Sequence, residues 1–207
     1  MTVDGDGTHV TFVPGAAGLA SFWAPVSEGL PAAWGRTFVD LPGLGGAPAV
    51  PAVASYDDLV NHVAGLLPPR TVLVGQSMGG YVALAAALAC PERVSHLVLT
   101  VAAGGVDVHA LGAADWRGDY RASYPGASPW ATDAVPDLSA RLPALDVPTL
   151  LVWATRDLIS PLAVAERLRE RLPRATLVTF DTDDHWVARL HAPDVAAAIA
   201  RFVTGAI

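Results

Sequence analysis

The feature that most limits how this chain can fold is a regular alternation. Short apolar runs rich in Val, Leu and Thr, at 9–13, 36–40, 71–74, 95–101, 149–153 and 176–180, are separated by longer segments with helical patterning. Near-continuous apolar strands bounded by Gly or Pro and spaced by helices are what a parallel sheet covered on both faces requires. The expected fold class is therefore α/β.

The helical segments carry their own punctuation. Ser55 and Asp58 form a Ser-x-x-Asp capping signal for a helix running to about Leu67, where Pro68 and Pro69 stop it. A second helix is expected over 78–89. Ser160 reads as a cap and Pro161 as the first-turn proline of a helix over 162–172, and Pro193 opens a last helix with Val195, Ile199 and Phe202 on one face. One stretch, 103–147, breaks the pattern: it holds Gly104, Gly105, Trp116, Tyr120, Tyr124, Pro125, Pro129 and Trp130 without a clean period. It reads as an insertion over the sheet edge.

Composition narrows the class further. With 207 residues, 52% of them apolar, the chain can bury one substantial core, so 1–207 is expected to be a single domain. Twenty acids against 13 bases give a net charge of −7, and every base is Arg. Those arginines are scattered except for Arg167, Arg169 and Arg171, which read as a solvated helix face, so a nucleic-acid partner is not expected. The single cysteine, Cys90, excludes an internal disulfide and a multi-cysteine zinc site, and reads as a small buried hydrophobe at a helix end. The N-terminal stretch to Thr8 is acidic where a signal peptide would be basic, and the longest apolar stretch, 81–90, is too short to span a bilayer. A cytoplasmic protein with no membrane partner is the expectation.

The sharpest chemical signal is Gly75-Gln76-Ser77-Met78-Gly79-Gly80, a G-x-S-x-G pattern where a strand should end and a helix begin. A serine at such a turn is held in a strained conformation that exposes its hydroxyl. Glycines two residues to either side are needed because a side chain there would strike the neighbouring strand and helix. The following helix also aims its first amides at the reaction centre. A serine hydroxyl is a weak nucleophile until a base takes its proton, so a histidine and an orienting acid should follow. Asp157 lies just past the run 149–153, four residues before Pro161, and His185 lies in the loop after the last run. All three positions fall at carboxyl ends of strands, where open α/β sheets gather their functional groups. Asp181, Asp183 and Asp184 are rival orienters of His185, and Asp157 could instead be a loop or capping acid. His9, His62, His96, His109 and His191 lack a matching loop context and read as packing or surface residues.

Together these segments resemble the α/β-hydrolase superfamily over nearly the whole chain. Phe12-Val-Pro14-Gly15-Ala16-Ala17-Gly18 followed by Ser21-Phe22-Trp23 resembles its oxyanion loop, and Asp40-Leu-Pro-Gly-Leu-Gly45 the next strand-end loop. Gly75 to Gly80, Asp157 to Pro161 and His185 to Asp194 resemble the three triad segments. The resemblance implies a Ser77–His185–Asp157 triad, an oxyanion hole from the backbone amides of Ala16 and Met78, and no metal or organic cofactor. It also places 103–147, about 45 residues, where the family carries its lid.

Three departures stand out. Pro14 precedes Gly15 where family members commonly carry His. Asp184 precedes the histidine where a glycine is common, which would favour the imidazolium. So few residues precede the first run that the family's antiparallel edge strands are expected to be missing, leaving a trimmed core of about six strands.

The expected function is hydrolysis of a small-molecule carboxylic ester or thioester through an acyl-enzyme. The same triad could instead serve carbon–carbon cleavage or elimination, or the chain could be a ligand-binding protein of hydrolase shape, because fold and triad alone do not fix the reaction. Trp116, Tyr120, Tyr124 and Trp130, with Trp186 and Trp23, either line an aromatic pocket for the substrate or pack the insertion onto the sheet.

Overall fold

The computed structural model describes residues 7–207, so the first six residues, most of the acidic N-terminal stretch, lie outside the described residues. Six strands form one sheet: β1 (His9–Val13), β2 (Gly35–Phe38), β3 (Thr71–Gln76), β4 (Val94–Thr100), β5 (Thr149–Ala154) and β6 (Ala175–Phe180). Their order is β2-β1-β3-β4-β5-β6, and every pairing is parallel. The expected trimmed parallel sheet is what the chain builds. Each apolar run lies within two residues of its strand, and β3 extends to Gln76, delivering Ser77 directly at its carboxyl end.

Among the described residues seven α-helices accompany the sheet: α1 (Ala24–Glu28), α2 (Tyr56–Leu66), α3 (Met78–Ala89), α4 (Arg117–Ser123), α5 (Leu162–Arg171), α6 (Val187–Leu190) and α7 (Ala192–Val203). The period-2 alternation of the strands divides the core. Leu73, Leu97, Leu99, Leu151 and Trp153 face one side, where α2, α3 and α5 pack, whereas Val72, Val74, Val98, Leu150 and Val152 face α1 and α7 on the other. Helix α3 is buried from Met78 to Ala87, which explains why it is apolar all round instead of striped.

The Ser55 cap forms as its spacing requires: its Oγ accepts from the Asp58 amide at 3.1 Å and donates to the Asp58 carboxylate at 2.8 Å. Ser160 does not cap α5, whose first residue follows Pro161 with no side-chain cap bond; its hydroxyl turns inward to the Ala102 carbonyl at 2.7 Å. Cys90 is half-buried, with its thiol on the Ala86 carbonyl.

The insertion does not sit over a sheet edge. It leaves β4 and enters β5, both interior strands, and spreads across the carboxyl ends of the sheet. Gly45 donates its amide to the Tyr120 hydroxyl at 2.7 Å, Ser128 donates its amide to Gly43 at 2.8 Å, the Tyr56 hydroxyl donates to Ala131 at 2.7 Å, and Ala114 donates its amide to Leu158 at 2.8 Å. The segment is thereby stitched to the loops after β2 and β5 and to α2. Among the described residues no helix is long and apolar enough to cross a membrane.

Candidate active site

The turn from β3 into α3 puts Ser77 at φ 52° and ψ −120°, a backbone state that L-residues rarely adopt and that is held here by its surroundings. Its amide donates to the Thr100 carbonyl at 3.0 Å and its own carbonyl accepts from Ala103, also at 3.0 Å. The glycines around it are there for space. A Cβ on Gly79 would collide with the Pro14 carbonyl, and one on Gly75 would collide with the Gly79 carbonyl and Ala83. The helix can therefore press onto β1 only with glycine at 79, which brings the loop after β1 against the Ser77 turn. A Cβ on Gly15 would strike the Gln76 side chain and come to 3.3 Å from the Ser77 Cβ.

His185 arrives from the loop after β6. Its Nε2 lies 2.8 Å from the Ser77 Oγ and its Nδ1 lies 2.7 Å from the Asp157 Oδ2. With the neutral ring protonated at Nδ1, that N–H donates to the carboxylate and Nε2 accepts from the serine hydroxyl. Asp157 is 3% exposed, yet its carboxylate is well held: Oδ1 accepts from the Ile159 amide at 2.8 Å and the Ser160 amide at 3.1 Å, while Oδ2 takes the imidazole. A buried charge is tolerated only with such a full set of donors.

The structure thus brings together Ser77, His185 and Asp157 from three different strand ends. None of the rival acids bonds the imidazole. Asp181 pairs with Arg156 and accepts from the Thr155 hydroxyl, Asp184 accepts from the Trp186 amide at 2.6 Å, and Asp183 makes no bond to the imidazole. His9 and His96 are packing residues, whereas His109 bonds Arg117 at 3.2 Å at the rim of the cavity between the insertion and α3. His9 bonds the Thr37 hydroxyl and burial lowers its pKa; burial also lowers that of His96, which meets Phe202 edge to face. No group of histidine, cysteine or carboxylate side chains among the described residues could hold a metal ion.

The aromatics for which the sequence left pocket lining and packing both open divide between the two roles, and Trp23 takes neither. Trp23 is fully buried, its indole N–H on the Val13 carbonyl and its ring beside Phe12, so it braces β1 from the face opposite α3. Tyr120 and Trp130 are buried as well, the latter edge-on to Tyr56, and both pin the insertion down. Burial holds the Tyr56 phenol far above its ordinary range and pushes that of Tyr81 up to about 12. Trp186, beside His185, is 57% exposed.

Between the insertion and the start of α3 at Met78 lies a cavity of about 250 Å³. Met78, Ala103, Val106, Trp116, Val135 and Ile159 give it apolar walls, with Arg117 and exposed carboxylates toward its outer side. Ile159 was not singled out from the sequence, although its side chain lines this cavity while its amide holds Asp157.

A sequence model of the alpha/beta hydrolase family matches residues 12–199, most of the chain. The chain belongs to this family. A pimeloyl-[acyl-carrier protein] methyl ester esterase of Neisseria meningitidis is 30% identical over 224 residues, 86% of this chain and 86% of the relative. A 2-hydroxy-6-oxononadienedioate/2-hydroxy-6-oxononatrienedioate hydrolase of Burkholderia vietnamiensis is 27% identical over 240 residues, 92% of this chain and 83% of the relative. That alignment is longer than the 207-residue chain, so the relative carries insertions that this α/β-hydrolase lacks. Among solved structures, an esterase from Exiguobacterium antarcticum superposes with a TM-score of 0.78 at 21% identity, covering 97% of this chain and 93% of the other, which shows the shared fold.

Proposed function

We propose that the chain is a serine hydrolase of small carboxylic esters or thioesters, with Ser77 as nucleophile, His185 as general base and acid, and Asp157 as the orienting acid. The observation that carries the reading is the unbroken pair of hydrogen bonds through the imidazole, 2.8 Å to the Ser77 Oγ and 2.7 Å to the Asp157 Oδ2, at a serine whose backbone is strained. In this reading the Ser77 Oγ attacks the ester carbonyl carbon while its proton passes to His185 Nε2. The Asp157 carboxylate stabilises the imidazolium. The carbonyl oxygen becomes an oxyanion, held by the amides of Ala16 and Met78. The bonds that close these two turns come from other donors, Gly18 to Gly15 and both Gly80 and Tyr81 to Ser77. Collapse of the tetrahedral adduct sends the alcohol or thiol out with the proton from Nε2, and water, activated by the same histidine, releases the acid.

The insertion, described between β4 and β5, acts as the lid of a single functional unit. Its cavity of about 250 Å³ is a little smaller than the roughly 300–1,000 Å³ usual for ligand sites. Each methylene buried there favours binding by about 0.8 kcal/mol until the space is filled. Specificity for p-nitrophenyl esters from acetate to palmitate is expected to peak at short acyl chains, read as kcat/KM; a maximum at the long end would contradict this pocket assignment. The second reading, carbon–carbon bond hydrolysis by the same residues, is favoured by the likeness to the Burkholderia dienedioate hydrolase. Absence of ester turnover at every chain length, in an enzyme whose serine still reacts with a fluorophosphonate, selects it.

A further inference from the structure

Ser160 is fully buried, and all three of its polar groups are committed to neighbours that matter to the proposed triad. Its amide donates to the Asp157 Oδ1 at 3.1 Å, its hydroxyl donates to the Ala102 carbonyl at 2.7 Å, and its carbonyl accepts from the Trp153 indole at 2.9 Å. Ala102 belongs to the turn that wraps the nucleophile. The chain leaves β4 through Val101, a buried β-branched residue at φ 41°, and the next residues return to the Ser77 backbone. Thr100 accepts from the Ser77 amide, Ala103 donates to the Ser77 carbonyl, and a Cβ on Gly80 would strike Ala102. One hydroxyl therefore ties the loop that carries the acid to the backbone that grips the serine.

We propose that Ser160 is a positioning residue for the triad, setting the separation between Asp157 and Ser77 that a single imidazole must bridge. The ring makes a hydrogen bond at each end, at 2.7 and 2.8 Å, so the two loops cannot drift apart without breaking one of them. Sheet bonding holds the strands only to their ends, where Val101 donates its amide to Val152. Past that point Thr155 and Arg156 bond the β6 side and Leu158 the insertion, while the Ser160 hydroxyl makes the bond that reaches the turn around Ser77. A displacement of about 1 Å at a catalytic group can cost on the order of a hundredfold in rate. The inference rests on the reading of Asp157 as the orienting acid.

The test is a double-mutant cycle on the full chain with a short p-nitrophenyl ester. Ser160→Ala is expected to lower kcat about 10- to 100-fold with KM within about twofold, because the change acts on the geometry of the triad and not on the substrate pocket. Ser160→Cys, which fills the site but donates weakly, should fall between alanine and wild type. In an Asp157→Asn background the Ser160→Ala change should cost nothing further, since the group it positions is gone. Thr149→Val, which removes another buried hydroxyl bond at the far end of β5, should lower Tm yet leave kcat near wild type. Wild-type kcat in Ser160→Ala overturns the proposal, as does an equal loss in the Asp157→Asn background or an equal loss from Thr149→Val. If Asp157→Asn itself keeps wild-type turnover, the triad reading fails instead, and the two failures are thus distinguishable.

Discussion

The strand-end turns that assemble Ser77, Asp157 and His185 and the insertion between β4 and β5 hold their shapes by different means. Each turn takes its own shape from short-range features, a strained serine and amide donors within three residues of a carboxylate, and long-range contacts such as Gly79 against Pro14 and Ser160 on Ala102 then hold the turns to one another. The insertion is held by bonds to partners about 75 residues away in sequence, the Tyr120 hydroxyl on Gly45 and the Tyr56 hydroxyl on Ala131.

The largest expected effect falls on the turns. Asp157→Asn should lower kcat/KM by roughly a thousandfold or more, because an amide cannot stabilise the imidazolium and selects the wrong tautomer. Asp181→Asn and Asp184→Asn, which leave the imidazole bond untouched, should stay within a few-fold of wild type by the same assay. A larger loss at either would move the orienting role to the loop after β6.

Packing gives a second contrast. Gly79→Ala pushes a methyl into the Pro14 carbonyl, backbone that cannot swing aside, so thermal unfolding should show a loss of about 2–4 kcal/mol together with most of the activity. Tyr120→Phe removes the acceptor for the Gly45 amide and should cost about 1 kcal/mol in stability, raising KM more than it lowers kcat because only the pocket's cover is loosened. Smallest of all, Gly118→Ala in α4, where a Cβ meets nothing, should stabilise by a few tenths to about 1 kcal/mol in the same melts. A destabilising Gly118→Ala would mean that the insertion is packed as tightly as the turns.

The same division explains what could be read from the sequence. The six strands and the positions of Ser77, Asp157 and His185 were legible because each rests on local pattern: apolar runs of strand length, glycine spacing and strand-end placement. Helices α1 and α4 were not, since five and seven residues are too few to show a period and α4 buries only Tyr120. Ser160 was misread because Ser-Pro before a helix looks the same whether the hydroxyl caps the helix or reaches a carbonyl 58 residues away. Trp23 was misjudged for a related reason: its partner, the Val13 carbonyl, becomes a neighbour only when the chain has turned back along β1.

The central claim is that Ser77 is the nucleophile, made so by His185. Its most direct test is peptide mapping by mass spectrometry after reaction of the folded protein with a fluorophosphonate. One adduct per chain is expected, on Ser77, with labelling abolished and the melting temperature unchanged in Ser77→Ala, since the lost hydroxyl leaves almost no cavity. An adduct on another residue, or ester turnover above a tenth of wild type in Ser77→Ala, would contradict the account.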